Sequence, residues 1–177
     1  MKKQIPPLTV KNLCILALLT AITALLSIFC TIRFGQFIKI PLKFISVFVT
    51  ASIFGPVFAG VVAATGDILN CILAPSGAII PQITVIEFLS GAVYGLFFFK
   101  PNLSKSNYIF RTILCVLVQF GIDMFVSTAL FTYWLGWFSS FWVGFSARIV
   151  AGIIKVILQA TVILMARKYI DRLRELC

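Results

Sequence analysis

Histidine is absent from this sequence of 177 residues, and the acidic residues number only 5. Without histidine, the chain lacks both a common metal ligand and the side chain best suited to acid–base chemistry near neutral pH. No stretch fits the GxxxxGK[ST] pattern of a nucleotide-binding P-loop, so we expect no ATPase activity of its own. The 5 cysteines form no CxxC pair, which argues against a metal site and against a disulfide framework.

Charged residues of both signs are also scarce, at 11% of the sequence, whereas 61% of the residues are hydrophobic. The mean hydropathy of +1.10 lies far outside the range of soluble globular domains. A spanning helix needs about 20 mainly apolar residues, so the chain has room for roughly six of them. We therefore predict an all-α integral membrane protein with a single domain, 1–177. Its six transmembrane helices are expected at about 10–32, 42–54, 57–74, 82–99, 109–135 and 141–166.

The net charge of +10 raises the question of a nucleic-acid partner. Most of the basic residues form three clusters beside hydrophobic spans: Lys2, Lys3 and Lys11; Lys100, Lys105 and Arg111; Arg167, Lys168, Arg172 and Arg174. The positive-inside rule explains these clusters and places both termini in the cytoplasm. We expect a lipid bilayer and no nucleic acid as partner, and we interpret the basic-then-apolar N-terminus as the first membrane helix rather than a signal peptide.

Carboxylates within the predicted spans are the first candidates for function. A charge at lipid depth costs several kcal/mol unless it meets a partner or water, so such residues mark sites by default. Asp67 either contacts a ligand or forms an ion pair with Arg148 or Lys155. Thr84 and Glu87 share one face of the fourth helix, which suits a ligand contact and a helix-packing hydrogen bond equally well.

Two predicted outer loops add further candidates. Arg33, Lys39 and Lys43 lie on the side that is normally poor in basic residues, where they either attract an anionic ligand or snorkel to the interface. Ser76 and Gly77 belong to a loop whose prolines and glycine favour a fixed path. Such a loop suits a lid or a binding wall.

The fifth helix combines a buried acid with an aromatic end. At α-helical spacing, Asp123, Ser127 and Leu130 are expected on one inward stripe. Trp134 belongs to an aromatic belt near the outer interface, where it either anchors the helix or stacks on a flat ligand.

The first helix carries a smooth face of small residues, Ala17, Ala21 and Ala24. Small residues let membrane helices approach closely, because packing replaces the missing hydrophobic driving force. This face therefore serves either packing within the protein or the docking of a partner's helices.

Several segments together resemble the substrate-binding (S) components of energy-coupling factor (ECF) vitamin transporters, and most closely the folate-specific ones. One departure is Phe131, at a position where that family often has Asn. The segments that carry the resemblance are Ala17-xxx-Ala21, Ile38 to Ile45, Phe54-Gly55-Pro56, Gly66-Asp67, Pro75-Ser76-Gly77-Ala78, Pro81, Thr84, Gly91, Tyr94-Gly95-Leu96, Thr132-x-Trp134-Leu135, and Ala147-Arg148-Ile149 through Gln159.

The resemblance implies a binding subunit rather than an enzyme. Such S components capture a vitamin at the outer face of the bacterial cell membrane and assemble with a transmembrane coupling subunit and two ATPases. The chain is then expected to bind folate with high affinity, to need no cofactor, and to leave the use of ATP to its partner subunits. The alanine face of the first helix becomes the implied docking face.

The resemblance also implies roles for the candidate residues. The basic side chains suit the two carboxylates of the folate glutamate tail, the acids suit the donor edge of the pterin, and Trp134 suits stacking. Arg148 either orients Asp67 or reaches the ligand, and the loop residues close the site. The implied ligand-binding set is Arg33, Lys39, Lys43, Asp67, Ser76, Gly77, Thr84, Glu87, Trp134 and Arg148.

Two alternatives remain open at this point. One is an S component for a different vitamin, such as thiamin or pantothenate. The other, from a different class, is a proton-coupled carrier or membrane enzyme that uses Asp67, Glu87 and Asp123 as a relay.

Overall fold

The computed structural model describes residues 9–34, 38–74, 80–99 and 105–176, and most of these residues are helical. Beyond the fifth helix the chain continues in two π-helical stretches, Ile122–Ser127 and Leu130–Trp134. The helices are α1 (Val10–Phe29), α2 (Phe44–Phe54), α3 (Pro56–Leu73), α4 (Pro81–Phe98), α5 (Lys105–Gly121) and α6 (Phe141–Leu176).

Five helical segments of the described chain are long and apolar enough to cross a membrane. The exception is α2, whose 11 residues extend only about 16 Å. Nine of those residues are buried, so α2 is a central helix enclosed by the longer ones. The predicted helical membrane architecture is confirmed at this level. The sixth helix continues to Leu176, where we had expected an end near 166.

A short β-hairpin follows α1, where we had predicted only a loop. Strand β1 (Thr31–Phe34) pairs antiparallel with β2 (Ile38–Pro41), with Thr31 opposite Pro41. The backbone N–H of Leu42 donates to the Cys30 carbonyl over 3.2 Å and closes the base of the hairpin. Threonine and isoleucine favour strands because their branched side chains fit a pleated surface. The first helix accordingly ends at Phe29 rather than near residue 32.

Proline and glycine define the helix boundaries on either side of α3. Gly55 separates α2 from α3 with φ of +92°, a conformation that favours glycine. Pro56 and Pro81 occupy the first positions of α3 and α4, where a missing N–H costs nothing. The chain therefore reverses direction between α2 and α3, at the end of the bundle opposite the β-hairpin. Helix α3 then brings it back to the hairpin end before α4 begins.

Glycines allow α3 and α4 to pack backbone to backbone. A Cβ added at Gly91 would lie 2.5 Å from the Ala59 carbonyl oxygen, and one at Gly95 would lie 2.3 Å from the Pro56 Cα. Close approach through small residues replaces the hydrophobic driving force that is absent within a bilayer. These two helices therefore form a rigid pair that holds the acids of α3 and α4 in register.

Aromatic rings pack together in the half of the protein that lies away from the hairpin. Phe48 of α2 packs edge to face against Tyr94 and Phe98 of α4, with ring centroids 6.1 and 5.0 Å apart. Phe98 in turn contacts Tyr108 of α5 at 5.4 Å. All four side chains are buried. They form an apolar layer between the polar side chains near the hairpin and the opposite end of the bundle.

We expect Gly95→Ala to lower the thermal unfolding midpoint, because its Cβ would meet backbone atoms that cannot move aside. Overpacking of this kind costs about 1–3 kcal/mol. The matched control is Gly121→Ala, since Gly121 is helical and no atom lies within 4 Å of an added Cβ. Alanine there should leave the midpoint unchanged or raise it. Equal midpoints for the two variants in detergent would contradict the proposed backbone contact.

Candidate functional site

A lysine, two carboxylates and a threonine form the first polar cluster, here called the acidic cluster: Lys43, Asp67, Thr84 and Glu87. The Lys43 ammonium lies 2.9 Å from Glu87 Oε1 and 3.6 Å from Asp67 Oδ1. The Thr84 hydroxyl donates to Asp67 Oδ2 over 3.0 Å. Lys43 comes from the start of α2, Asp67 from α3, and the other two residues from the first two turns of α4.

Charge and exposure differ within the acidic cluster. Lys43 and Asp67 are buried, whereas the Glu87 side chain retains 27% of its exposure. One ammonium beside two carboxylates leaves a formal charge of −1. The two acids share this surplus around one ammonium, and Glu87 is the acid that is open enough to present it. This carboxylate can accept hydrogen bonds from a ligand that presents N–H donors.

The partner of Asp67 differs from the expected one. We had weighed an ion pair with Arg148 or Lys155 and a role for Arg148 in orienting Asp67. In the structure Asp67 pairs with Lys43, while Arg148 and Lys155 both pair with Asp123. The physical reason is proximity: Lys43 precedes α2, which packs against both α3 and α4, whereas Arg148 and Lys155 are on α6, which packs against α2, α5 and the π-helical continuation that carries Asp123.

The second polar cluster, here called the basic cluster, consists of Asp123, Thr128, Arg148 and Lys155. Arg148 Nη2 lies 3.1 Å from Asp123 Oδ1, and Lys155 Nζ lies 2.8 Å from Asp123 Oδ2. Arg148 Nη1 donates to the Thr128 hydroxyl over 2.9 Å. Two cations beside one carboxylate leave a formal charge of +1. Lys155 carries this surplus in the more open position, with 26% side-chain exposure against 12% for Arg148.

The π-helical turn explains how one arginine reaches both Asp123 and Thr128. These residues are five apart, which would place them on different faces of an α-helix. The stretch Ile122–Ser127 is π-helical, and its wider turn brings residues five apart onto one side. The α-helical stripe of Asp123, Ser127 and Leu130 that we predicted from spacing did not include Thr128, which Arg148 joins to Asp123.

Aromatic rings support the basic cluster from the hairpin end. The Arg148 guanidinium lies 4.9 Å from the centroid of the Phe131 ring, and that ring stacks on Trp137 at 5.1 Å. A cation over an aromatic face is attracted by the ring quadrupole. Trp134 is instead 73% exposed. The ring that contacts Arg148 of the basic cluster is thus Phe131 rather than Trp134.

Some predicted site residues lie outside the described part of the chain. Ser76 and Gly77 belong to 75–79, which the structure does not describe. Arg33 and Lys39 are opposite each other in the hairpin register, and their side chains lie outside the described residues.

On α1 the predicted alanine face divides in two. Ala17 and Ala21 are exposed, whereas Ala24 is 5% exposed, beside the position where Gly66 of α3 meets α1. Ala24 therefore packs within this protein and is not part of an exposed face. Ala17 and Ala21 remain accessible to a partner.

Our predicted site set did not include Asp123 or Lys155. Both residues were recognisable as charges within apolar spans, and Lys155 follows Arg148 by seven residues, which places the two on one helix face. That spacing was the available signal. It does not reveal that the carboxylate between them belongs to α5, because a contact between helices cannot be deduced from the period of either one.

Comparisons with known proteins bear on this arrangement. The sequence pattern of the family described as "ECF transporter, substrate-specific component" matches residues 11–167. The folate transporter FolT of Clostridium novyi (strain NT) is 34% identical over 139 residues, which cover 77% of this chain and 76% of that protein.

Among solved structures, the crystal structure of FolT bound with folic acid has a TM-score of 0.74 and 25% sequence identity. The match covers 93% of this chain and 94% of that chain. The family pattern, the similar sequence and the similar structure all point to the same family, and the sequence and structure matches cover 77% and 93% of this chain. The chain therefore belongs to the family of substrate-specific components of ECF transporters.

Proposed function

We propose that this chain is the high-affinity folate-binding subunit of an ECF-type importer. Two similar proteins, one in sequence and one in structure, are named as folate proteins. The observation in this structure that supports the proposal is the open carboxylate of Glu87, held in place by Lys43 over 2.9 Å. A pterin presents adjacent N–H donors, and hydrogen bonds to a charged acceptor are about twice as strong as neutral ones.

The roles within the site follow from charge. Glu87, with Asp67 behind it, accepts from the donor edge of the pterin. Lys43 serves to hold these acids rather than to bind the glutamate tail, because two carboxylates already neutralise its ammonium. The tail carboxylates are assigned to Arg33 and Lys39 at the hairpin.

The remaining predicted residues keep supporting roles in this proposal. Thr84 fixes Asp67 through their 3.0 Å hydrogen bond. Ser76 and Gly77 close the site from the loop after α3, and Trp134 covers a flat ring. Arg148 acts within the basic cluster.

Transport by such a subunit depends on partners. The chain supplies binding and no catalysis, while a transmembrane coupling subunit and two ATPases supply movement and the use of ATP. Ala17 and Ala21 form the docking surface on α1, because both are small and exposed. The protein resides in the bacterial cell membrane with six crossings, α2 being the short one, and with both termini in the cytoplasm.

Purified protein offered a panel of vitamins should retain folic acid and not thiamin or pantothenate. Glu87→Gln should weaken folic acid binding about tenfold or more, since a hydrogen bond to a charged group is worth about 1.5–3 kcal/mol. Glu175→Gln, the same change near the end of α6, is the control and should bind normally. Isothermal titration calorimetry measures both. Retention of another vitamin in place of folic acid would overturn the assignment.

Ala17→Trp combined with Ala21→Trp should abolish co-purification with the coupling subunit while leaving folic acid affinity within about twofold of the unmodified protein. The added bulk prevents close helix approach on α1 and lies away from both polar clusters. Ile22→Trp is the matched control, because Ile22 is exposed on the same helix but is neither three nor four residues from either alanine. Assembly that survives the double substitution, or that is lost equally in the control, would refute a docking face at these alanines.

The proposed topology predicts that a reporter fused to the C-terminus remains in the cytoplasm. Green fluorescent protein at that position should therefore fluoresce, and alkaline phosphatase should be inactive. The reason is the basic residues near both termini, which disfavour translocation. Active phosphatase at the C-terminus would require an odd number of crossings or the opposite orientation.

A further inference from the structure

The acidic and basic clusters lie at the same depth on adjacent helices. Gln119 Nε2 of α5 donates to the Ser90 carbonyl of α4 over 2.7 Å. Nearer the opposite end, Arg111 donates to the Phe97 carbonyl over 3.0 Å, so the two helices run antiparallel. Glu87 precedes Ser90 by three residues and Asp123 follows Gln119 by four. Both carboxylates therefore lie one turn from the same hydrogen bond, on its hairpin side.

The two clusters also face the same region between the helices. Residues three and four apart share a helix face. Glu87 therefore lies one turn from Ser90 on α4, toward the hairpin. Asp123, in the π-helical stretch that continues α5, lies about one turn from Gln119 in the same direction. The π-helical turn that contains Asp123 packs directly against α4. Axes of packed helices are about 8–10 Å apart. Glu87 and Asp123 thus lie on neighbouring packed segments, and Lys155 is held 2.8 Å from Asp123.

Each cluster has one open member, and the two are of opposite charge. Glu87 retains 27% of its side-chain exposure and Lys155 retains 26%. Among the described residues, Lys155 has one ion-pair partner, Asp123. An ammonium carries three donor protons, so Lys155 can donate to a further acceptor. Glu87 thus offers an acceptor at the edge of the acidic cluster, and Lys155 offers a donor at the edge of the basic cluster.

The pterin head has the complementary pattern. Its 2-amino group and N3–H are donors, and the adjacent oxygen at position 4 is an acceptor. We infer that Lys155 is a specificity-determining residue whose ammonium donates to the 4-oxo oxygen while the Glu87 carboxylate accepts from the 2-amino and N3–H groups. This inference rests on the proposed folate function, and it adds to that function a reason for preferring a 4-oxo over a 4-amino pteridine.

The test compares folic acid with its 4-amino analogue, aminopterin, which differs at position 4 of the ring and in the proton at N3. Titration of the full-length protein in neutral buffer keeps both rings uncharged. The unmodified protein should bind folic acid at least about tenfold more tightly, because a 4-amino group places donors against the Lys155 ammonium. Lys155→Met should weaken folic acid binding and reduce the preference at least about threefold, while the contact of Glu87 with N3–H preserves the remainder.

Lys155→Met leaves the Asp123–Arg148 pair intact, so no buried charge loses its partner. Lys155→Arg, which restores charge and donors, should recover the preference. The control is Arg167→Met, which removes the same charge from α6 beside Tyr108, far from both clusters. Should Lys155→Met fail to fold, Lys155→Gln, with a neutral head of nearly the same reach, provides the comparison.

The outcomes separate the two proposals. An unmodified protein that does not bind folic acid overturns the proposed function itself. An unmodified protein that binds folic acid, together with a lysine variant that keeps the full preference for the 4-oxo ring, overturns only the role of Lys155. Equal weakening of both ligands by Lys155→Met also counts against it, because a purely structural residue would have that effect.

Discussion

Charge balance in apolar surroundings is the constraint on which this structure depends. Three carboxylates and three cations lie among the helices, and each one has a partner of opposite sign. An ion removed from water loses several kcal/mol of hydration, and only close partners and hydrogen bonds offset the loss. The position of α2 follows from this requirement, because Lys43 must enter the bundle to meet Asp67 and Glu87. The short length of α2 allows Lys43, the residue just before it, to lie that deep.

The balance is complete for the whole set but not within each cluster. The acidic cluster carries one excess negative charge, which Glu87 of α4 presents. The basic cluster carries one excess positive charge, which Lys155 of α6 presents. Each surplus is located on the more open side chain, where water or a ligand can stabilise it. Complete pairing within each cluster would have left no excess charge to bind a ligand of opposite charge or a polar ligand. The surplus charges are therefore better explained by ligand recognition than by folding.

The sequence was sufficient to predict the helical fold, the burial of Asp67 and the shared face of Thr84 and Glu87. Those predictions depend on composition and on spacing along one helix, which the sequence contains directly. The ion-pair partners were wrong because a lysine near a predicted interface and an arginine in a span look equally available to Asp67. Only the packing of helices distinguishes them.

Two further differences arise from local backbone geometry. The contact of Arg148 with both Asp123 and Thr128 depends on a π-helical turn, and no residue in Ile122–Ser127 marks such a turn in the way that proline marks a helix start. Phe131, a departure from the folate pattern, supports Arg148 through its ring face instead of through a polar group. A position that looks like a departure in sequence thus contributes a ring contact to the basic cluster.

The two clusters belong to different parts of the helix bundle. The acidic cluster is fixed by α2, α3 and α4, whose glycine contacts leave no room for adjustment. The basic cluster is fixed by α6 and the π-helical end of α5, where aromatic stacking and hydrogen bonds replace backbone contact. Side-chain stacking tolerates small shifts that interlocked backbones do not. The proposed ligand contact of Glu87 and Lys155 therefore joins a wall of interlocked backbones to a wall of stacked side chains.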